Sequence, residues 1–375
     1  MKSALLKLIF VTIVLHTITG CNSKKTKDDN IKIGVILPYT GELATYGNDS
    51  KRGIDIAVNE INMAGGIQGK KIEILSGDSK GESKTAVTIM LKNITIDNTK
   101  LFIGDISSTV TLSLIPIIEQ NKVFLFSPCA ATPKLTNISR YFARNWPSNN
   151  AEANSAADFV SKKYNKSKDV IIVYVNNDWG LGLMENFEKR YIDLGGAIKA
   201  KLIYNYGEEE FRTLIIKLNT LDPSVIYLAG NQKEMGYFMR QLREINKIIP
   251  VVANTSFLEP DCLNIAGKSS EGTIVSTPEY NPFDSTSIKI ISFTNTYSKK
   301  YNSIPSLTAA NSYDAIFLIK QAIEKEGFDV SKIAGFIRDY KEFSGASGRM
   351  NFTNGDVEIN VVYKIILGGI PQKIE

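Results

Sequence analysis

LFIGDISSTVTLSLIPIIEQNKVFLFSPCAAT, residues 101–132, reads as strand, helix and strand with a small polar loop after each strand. Leu101-Phe102-Ile103 is a short apolar run that halts at Gly104-Asp105. Ser107, Ser108 and Thr109 then offer N-cap hydroxyls to a helix whose apolar positions, Leu112, Ile115 and Ile118, recur at helical spacing. Val123 to Phe126 repeats the buried-strand pattern and ends in Ser127-Pro128-Cys129-Ala130-Ala131-Thr132. A parallel strand pair puts both loops at the carboxyl edge of one sheet, where open α/β folds take ligands. Hydroxyls and backbone N–H groups at a helix N-terminus suit a carboxylate or another anion. The two loops form a candidate binding cleft.

The alternation extends both ways from this unit. Upstream, strands over 31–37 and 71–75 precede helices reaching about Met63 and spanning 84–93, and Gly65-Gly66 supplies a helix stop. Downstream of Trp146-Pro147-Ser148-Asn149-Asn150, helices over 151–164, 183–194, 209–218 and 235–245 alternate with strands over 170–175, 199–204, 225–228 and 251–253. Residues 272–277 read as a connecting strand. Helices over 287–301, 308–325 and 330–340 follow, and a hairpin-like pair, 349–352 with 357–366, closes the chain around Asn354-Gly355. Strands alternating with helices of this length predict an α/β protein with parallel sheets.

At 375 residues, 43% hydrophobic and 22% charged, the chain can bury two ordinary cores. Its net charge of +5 falls to +3 without Lys2 and Lys7, too mild and too dispersed for nucleic acid. Those two lysines flank an apolar run over 5–15 that gives way to small residues, the pattern of a secretory leader and too short to span a membrane. Ile18-Thr19-Gly20-Cys21 resembles a bacterial lipobox, which implies cleavage before Cys21, lipid on its sulfur, and a flexible tether to residue 30. The only histidine, His16, lies in that leader, which removes Ser-His and Cys-His nucleophiles and His-bound metal from the mature chain. Cys129 and Cys262 are expected as free, mostly buried thiols. No metal and no cofactor are expected.

An ordered set of motifs resembles one family. Ile33-Gly34-Val35 with Gly41 and Tyr46-Gly47 comes first, then Ala57-Val58-Asn59-Glu60-Ile61-Asn62 with Gly65-Gly66-Ile67-Gln68-Gly69. Gly104 to Ser108, Ser127 to Thr132, Asp178-Trp179-Gly180, Glu234-Met235-Gly236 and Ser270-Glu271-Gly272 follow. Together they resemble bacterial solute-binding proteins of the branched-chain amino-acid ABC importer type, with the type 1 periplasmic-binding fold. The resemblance implies two Rossmann-like α/β lobes with central parallel sheets joined by hinge strands. One lobe would take residues 31–148 and 278–352, the other 149–277 and 353–375. It also implies a lipid-anchored, extracytoplasmic monomer that captures a small ligand by lobe closure and delivers it to an ABC permease, without catalysis. A sensor subunit presenting the solute to a membrane receptor, or an extracytoplasmic enzyme on the same scaffold, would carry the same motifs.

By that resemblance Ser108 binds the ligand carboxylate, and Ala130 and Thr132 hold the amino-acid head group. Tyr46 and Trp179 close over the ligand side chain, an aromatic contact with little entropy to lose. Two positions depart from the family pattern. Thr255 stands where a Glu commonly pairs with the ligand ammonium, and Asn231 replaces a Tyr. An ammonium buried without a carboxylate is costly. Either Glu259 or Asp178 takes the role, or the ligand is a carboxylic acid or amide lacking the ammonium.

Overall fold

The apolar runs build two sheets. The computed structural model describes residues 30–245 and 249–374; the leader and Cys21 lie outside the described residues. The first sheet gathers β1 (Ile31–Leu37), β2 (Ile72–Asp78), β3 (Leu101–Gly104), β4 (Phe124–Ser127) and β5 (Phe142–Arg144) with three late strands, in the order β11-β12-β13-β5-β4-β3-β1-β2. The second holds β6 (Val170–Val175), β7 (Ile198–Tyr204), β8 (Val225–Ala229), β9 (Val251–Ala253) and β10 (Ile274–Pro278), in the order β15-β14-β10-β9-β8-β6-β7. The late strands are β11 (Phe343–Gly345), β12 (Gly348–Thr353), β13 (Asp356–Glu358), β14 (Val361–Leu367) and β15 (Ile370–Ile374). β1 to β5 pair in parallel, as do β6 to β10, and the antiparallel pairs are confined to the late strands.

The crossovers are α1 (Ala44–Met63), α2 (Ser83–Thr95), α3 (Ser108–Asn121), α4 (Asn149–Lys163), α5 (Asp178–Asp193), α6 (Arg212–Leu221), α7 (Gln232–Ile245) and the short α8 (Pro260–Ala266). Helices α9 (Ile288–Tyr301), α10 (Leu307–Glu326) and α11 (Val330–Arg338) return the chain to the first sheet. With helices on their faces, the central strands are buried on both sides, which is why they read as unbroken apolar runs rather than alternating ones. One large core fills the first lobe, from Ile33 and Phe102 to Ile319 and Phe352, with a smaller cluster around Phe293 and Ala309. The second lobe has a core on each face of its sheet, around Leu228 and Phe238 on one and Phe187 and Tyr227 on the other.

The end of the chain corrects the sequence reading. The expected strand over 357–366 is two strands in different sheets. Asn354-Gly355 does make the tight turn, with φ of 53° and 87° joining β12 to β13, but β13 stays in the first sheet beside β5. Only after Ile359-Asn360 does the chain cross to pair β14 with β10. Residues 353–358 therefore belong with the first lobe, not the second. Val357 is buried in the first core and Ile366 in the second, so a single straight strand would strand one of them in water.

Candidate functional site

Both sheets point their carboxyl ends at one cavity of about 270 Å³. In the first lobe its walls come from the segments after β1 (Leu43, Tyr46), β2 (Lys80, Gly81), β3 (Ile106 to Thr109), β4 (Cys129) and β5 (Trp146). In the second lobe they follow β6 (Asn177, Trp179), β7 (Tyr206), β8 (Asn231) and β9 (Thr255, Ser256). In each sheet the winding direction reverses once, between β1 and β3 and between β6 and β8, and strand-end loops diverge at such a point to leave a crevice. Two facing crevices make the chamber.

The first-lobe wall is set by α3. Ser107 caps it, its Oγ accepting from the Val110 N–H at 3.4 Å. Gly104 ends β3 at φ 131°, where a Cβ would stand 1.9 Å from the Ile36 carbonyl oxygen, so only glycine lets β3 close against β1 at this edge. Ser108 Oγ accepts two N–H groups, from Ala131 at 3.2 Å and Thr132 at 3.1 Å. A hydroxyl has two acceptor sites and one hydrogen. With both acceptor sites filled, Ser108 can only donate, and its O–H has no acceptor among the described residues.

Ala130 and Thr132 lie one layer behind the cavity. Both carbonyls accept from Arg144 Nη1, at 3.2 and 2.9 Å, and Thr132 Oγ1 is buried without a partner. Arg144 is itself fully buried and pairs with Asp356 at 2.8 Å. The loop that holds Ser108 is thus fastened to β13. Of the seven expected ligand residues, Tyr46, Ser108, Trp179, Asn231 and Thr255 line the cavity, while Ala130 and Thr132 support it.

Contacts across the cleft bring the lobes together. Lys134 pairs with Asp178 at 2.5 Å, Thr109 Oγ1 donates to Asp178 at 3.0 Å, Thr45 Oγ1 donates to Asp261 at 3.1 Å, and Tyr46 hydrogen bonds Ser256. The Lys134 ammonium holds the Asp178 carboxyl below its usual range. Asp178 is therefore occupied at the seam, and neither it nor Glu259 lines the cavity. Burial, with Asp49 and Asp261 nearby, pushes Glu259 up to about 8. Burial also pushes the Cys129 thiol up to about 12, so it stays protonated. Cys129 and Cys262, the cysteines among the described residues, are both free. Among the described residues no cluster of His, Cys, Asp and Glu could hold a metal, and no helix is long and apolar enough to cross a membrane.

The sequence reading missed Lys80, Trp146, Asn177 and Tyr206 as lining residues. Asn177 left a signal: its Oδ1 caps α5 by accepting the Gly180 N–H at 2.8 Å, ahead of the Asp178-Trp179-Gly180 motif. For Trp146 and Tyr206 the position just beyond a strand end was the available cue.

A family model described as periplasmic binding protein matches residues 30–362. The chain belongs to that family. This periplasmic binding protein is 29% identical over 341 residues to the Leu/Ile/Val-binding protein homolog 3 of Brucella melitensis, covering 88% of this chain and 89% of that one. Among solved structures it resembles a leucine-binding protein from Thermotoga maritima, with a TM-score of 0.85, 28% identity, and 92% and 98% of the two chains covered. The branched-chain amino-acid transporter substrate-binding protein of Streptococcus pneumoniae, solved with isoleucine, gives a TM-score of 0.83 at 25% identity, with 92% and 98% covered. The two-lobed fold and the solute-binding role that the motifs led us to expect are those of the family.

Proposed function

We propose that this protein is the solute-capturing component of an ABC importer and that it takes a branched-chain amino acid, or a related small carboxylate, into the cavity between its lobes. The observation that carries this reading is Ser108, a hydroxyl left with only a hydrogen to give, at the N-terminus of a 14-residue helix facing the cavity. A carboxylate accepts that hydrogen and gains from the helix N-terminus. Apolar surface from Leu43, Ile106, Trp146 and Trp179 suits a short aliphatic side chain. The names of the relatives above point the same way. Tyr46, Asn231 and Thr255 complete the contacts, and Ala130 and Thr132 act by holding Ser108 in place. The lobes close about the three connections at 145–148, 279–287 and 359–360, and closure excludes water and strengthens each polar contact. Cys21 carries a lipid that keeps the protein outside the cytoplasmic membrane, where it works as a monomer.

Thermal shift of refolded, ligand-stripped protein tests the ligand class. Leucine, isoleucine or valine at 100 times its dissociation constant should add about 2.7 kcal/mol of stability. No shift with these amino acids, their des-amino acids or their amides would overturn the reading.

A further inference from the structure

The cavity lining includes one cation, Lys80, and no acidic side chain. Several carboxyls nevertheless sit directly behind the lining: Asp105 accepts from the Ser107 N–H, Asp178 from Thr109, Glu234 from Asn231, and Glu152 from Thr255. Thr255 faces the cavity, and its backbone N–H donates to Glu152 Oε1 at 2.5 Å. Glu152 stands in the first turn of α4 with 2% of its surface exposed. Like Glu259, which burial also raises, and unlike Asp314, Asp105 and Glu234, it has little compensation, and of the two only Glu152 bonds the backbone of Thr255. Asp314 accepts from the Ala346 and Ser347 N–H groups and from Ser347 Oγ, and Asp105 accepts from Ser79 Oγ and the Ser107 N–H. Glu152 receives the Thr255 N–H alone, and among the described residues no lysine or arginine pairs with it. The titratable groups that feel its charge are the Tyr227 phenol on β8 and the Cys129 thiol after β4. Both are neutral. Burial accordingly pushes the Glu152 carboxyl up to about 8.

A buried carboxyl with so little compensation is a poor choice for a scaffold. It is a good choice for a site whose missing charge arrives with the ligand. We propose that Glu152, from behind Thr255, supplies the counter-charge for an ammonium on the ligand and so makes the site select amino acids over carboxylic acids. This rests on the ligand class proposed above and narrows it. Where the family resemblance implies an acid after β9 this chain has Thr255, and Glu152, in the first turn of α4, reaches that backbone. Binding then runs with a proton balance: an ammonium placed beside Glu152 favours its ionised form, and the displaced proton leaves for solvent.

Isothermal titration of the ligand-stripped full chain with leucine and with its des-amino analogue, 4-methylpentanoate, tests this. Wild-type protein should prefer leucine by about 100-fold, and near pH 6.5 leucine alone should release close to one proton, read from two buffers of different ionisation enthalpy. Glu152→Gln keeps an acceptor for the Thr255 N–H, so it should weaken leucine by about 10-fold or more while changing 4-methylpentanoate by less than about 3-fold. Glu152→Asp, which restores the charge, should recover part of the preference. Equal weakening of both compounds by the Gln variant would reduce Glu152 to a structural role and overturn the proposal. Wild-type binding of 4-methylpentanoate as tight as that of leucine, with no proton released, would also overturn it and leave the carboxylate reading standing. Failure of every carboxylate to bind would instead overturn the ligand class itself.

Discussion

Lys134 Nζ lies 2.5 Å from Asp178 Oδ1, an ion pair that joins the first lobe to the second beside the cavity. Both groups keep contact with water, so the pair trims the balance between open and closed forms without dictating it. Asp178→Asn should weaken ligand binding by less than about fivefold, within about 1 kcal/mol. Raising the salt should bring the wild-type dissociation constant toward that of the variant, because exposed pairs are screened. A variant whose deficit is the same at low and high salt would show that Asp178 acts by some other route.

Ser108 does two things at once, and Ser108→Ala separates them. The change leaves the Ala131 and Thr132 N–H groups without their shared acceptor, and it removes the hydrogen aimed at the ligand. Unfolding in urea should show a loss of about 1–3 kcal/mol. Calorimetry should show binding weakened about 10-fold, or about 1.4 kcal/mol. Unchanged affinity in a folded variant would remove Ser108 from the binding set.

Arg144 carries the support of the site. It is wholly buried, pairs with Asp356 and donates to the carbonyls of Ala130 and Thr132. Arg144→Met leaves a half-buried acid and two buried carbonyls short of a donor, so chemical denaturation should report a loss of about 3 kcal/mol. Asp356→Asn retains a polar partner and should cost less. Equal stability of wild type and Arg144→Met would contradict this account of the loop.

The ligand-free protein should lose stability as pH rises. Glu152 keeps its proton in the folded state up to about 8, whereas in the unfolded chain it releases it near 4.5. Between these values the folded state binds the extra proton, so the contribution is complete below about 4.5 and is lost as pH passes through about 8. Glu259 adds to the same trend, and so does Asp105 up to about 6. Melting temperatures taken across this range should fall with pH, and Glu152→Gln should flatten the curve. A wild-type curve that rises with pH would contradict the assignment.

The parallel winding was legible because buried strands and amphipathic crossovers carry strong local signals. Strands over 31–37, 170–175 and 251–253 needed no correction. Tyr46, Ser108, Trp179, Asn231 and Thr255 were placeable because strand-end loops in such sheets converge on one edge. What stayed hidden depended on distant partners. β5 has only three residues and includes an arginine, so nothing in Phe142-Ala143-Arg144 announces a strand until Asp356 arrives to neutralise it. Glu152 reads as an ordinary acidic residue in a helix first turn. Only the packing of α4 under the segment after β9 turns it toward the cavity wall. The missing acid at Thr255 was visible, but its replacement was not, since a sequence separation of 103 conceals the contact of Glu152 with Thr255.

The late strands tie both lobes to one stretch of the chain. β11 to β13 finish the first sheet and β14 to β15 finish the second, so both rely on segments that come late in the chain. Without them β5 lacks its partner β13, and β10 has β9 alone. Both sheets would then expose an unsatisfied edge. Clipping ahead of β11 would therefore damage both halves at once.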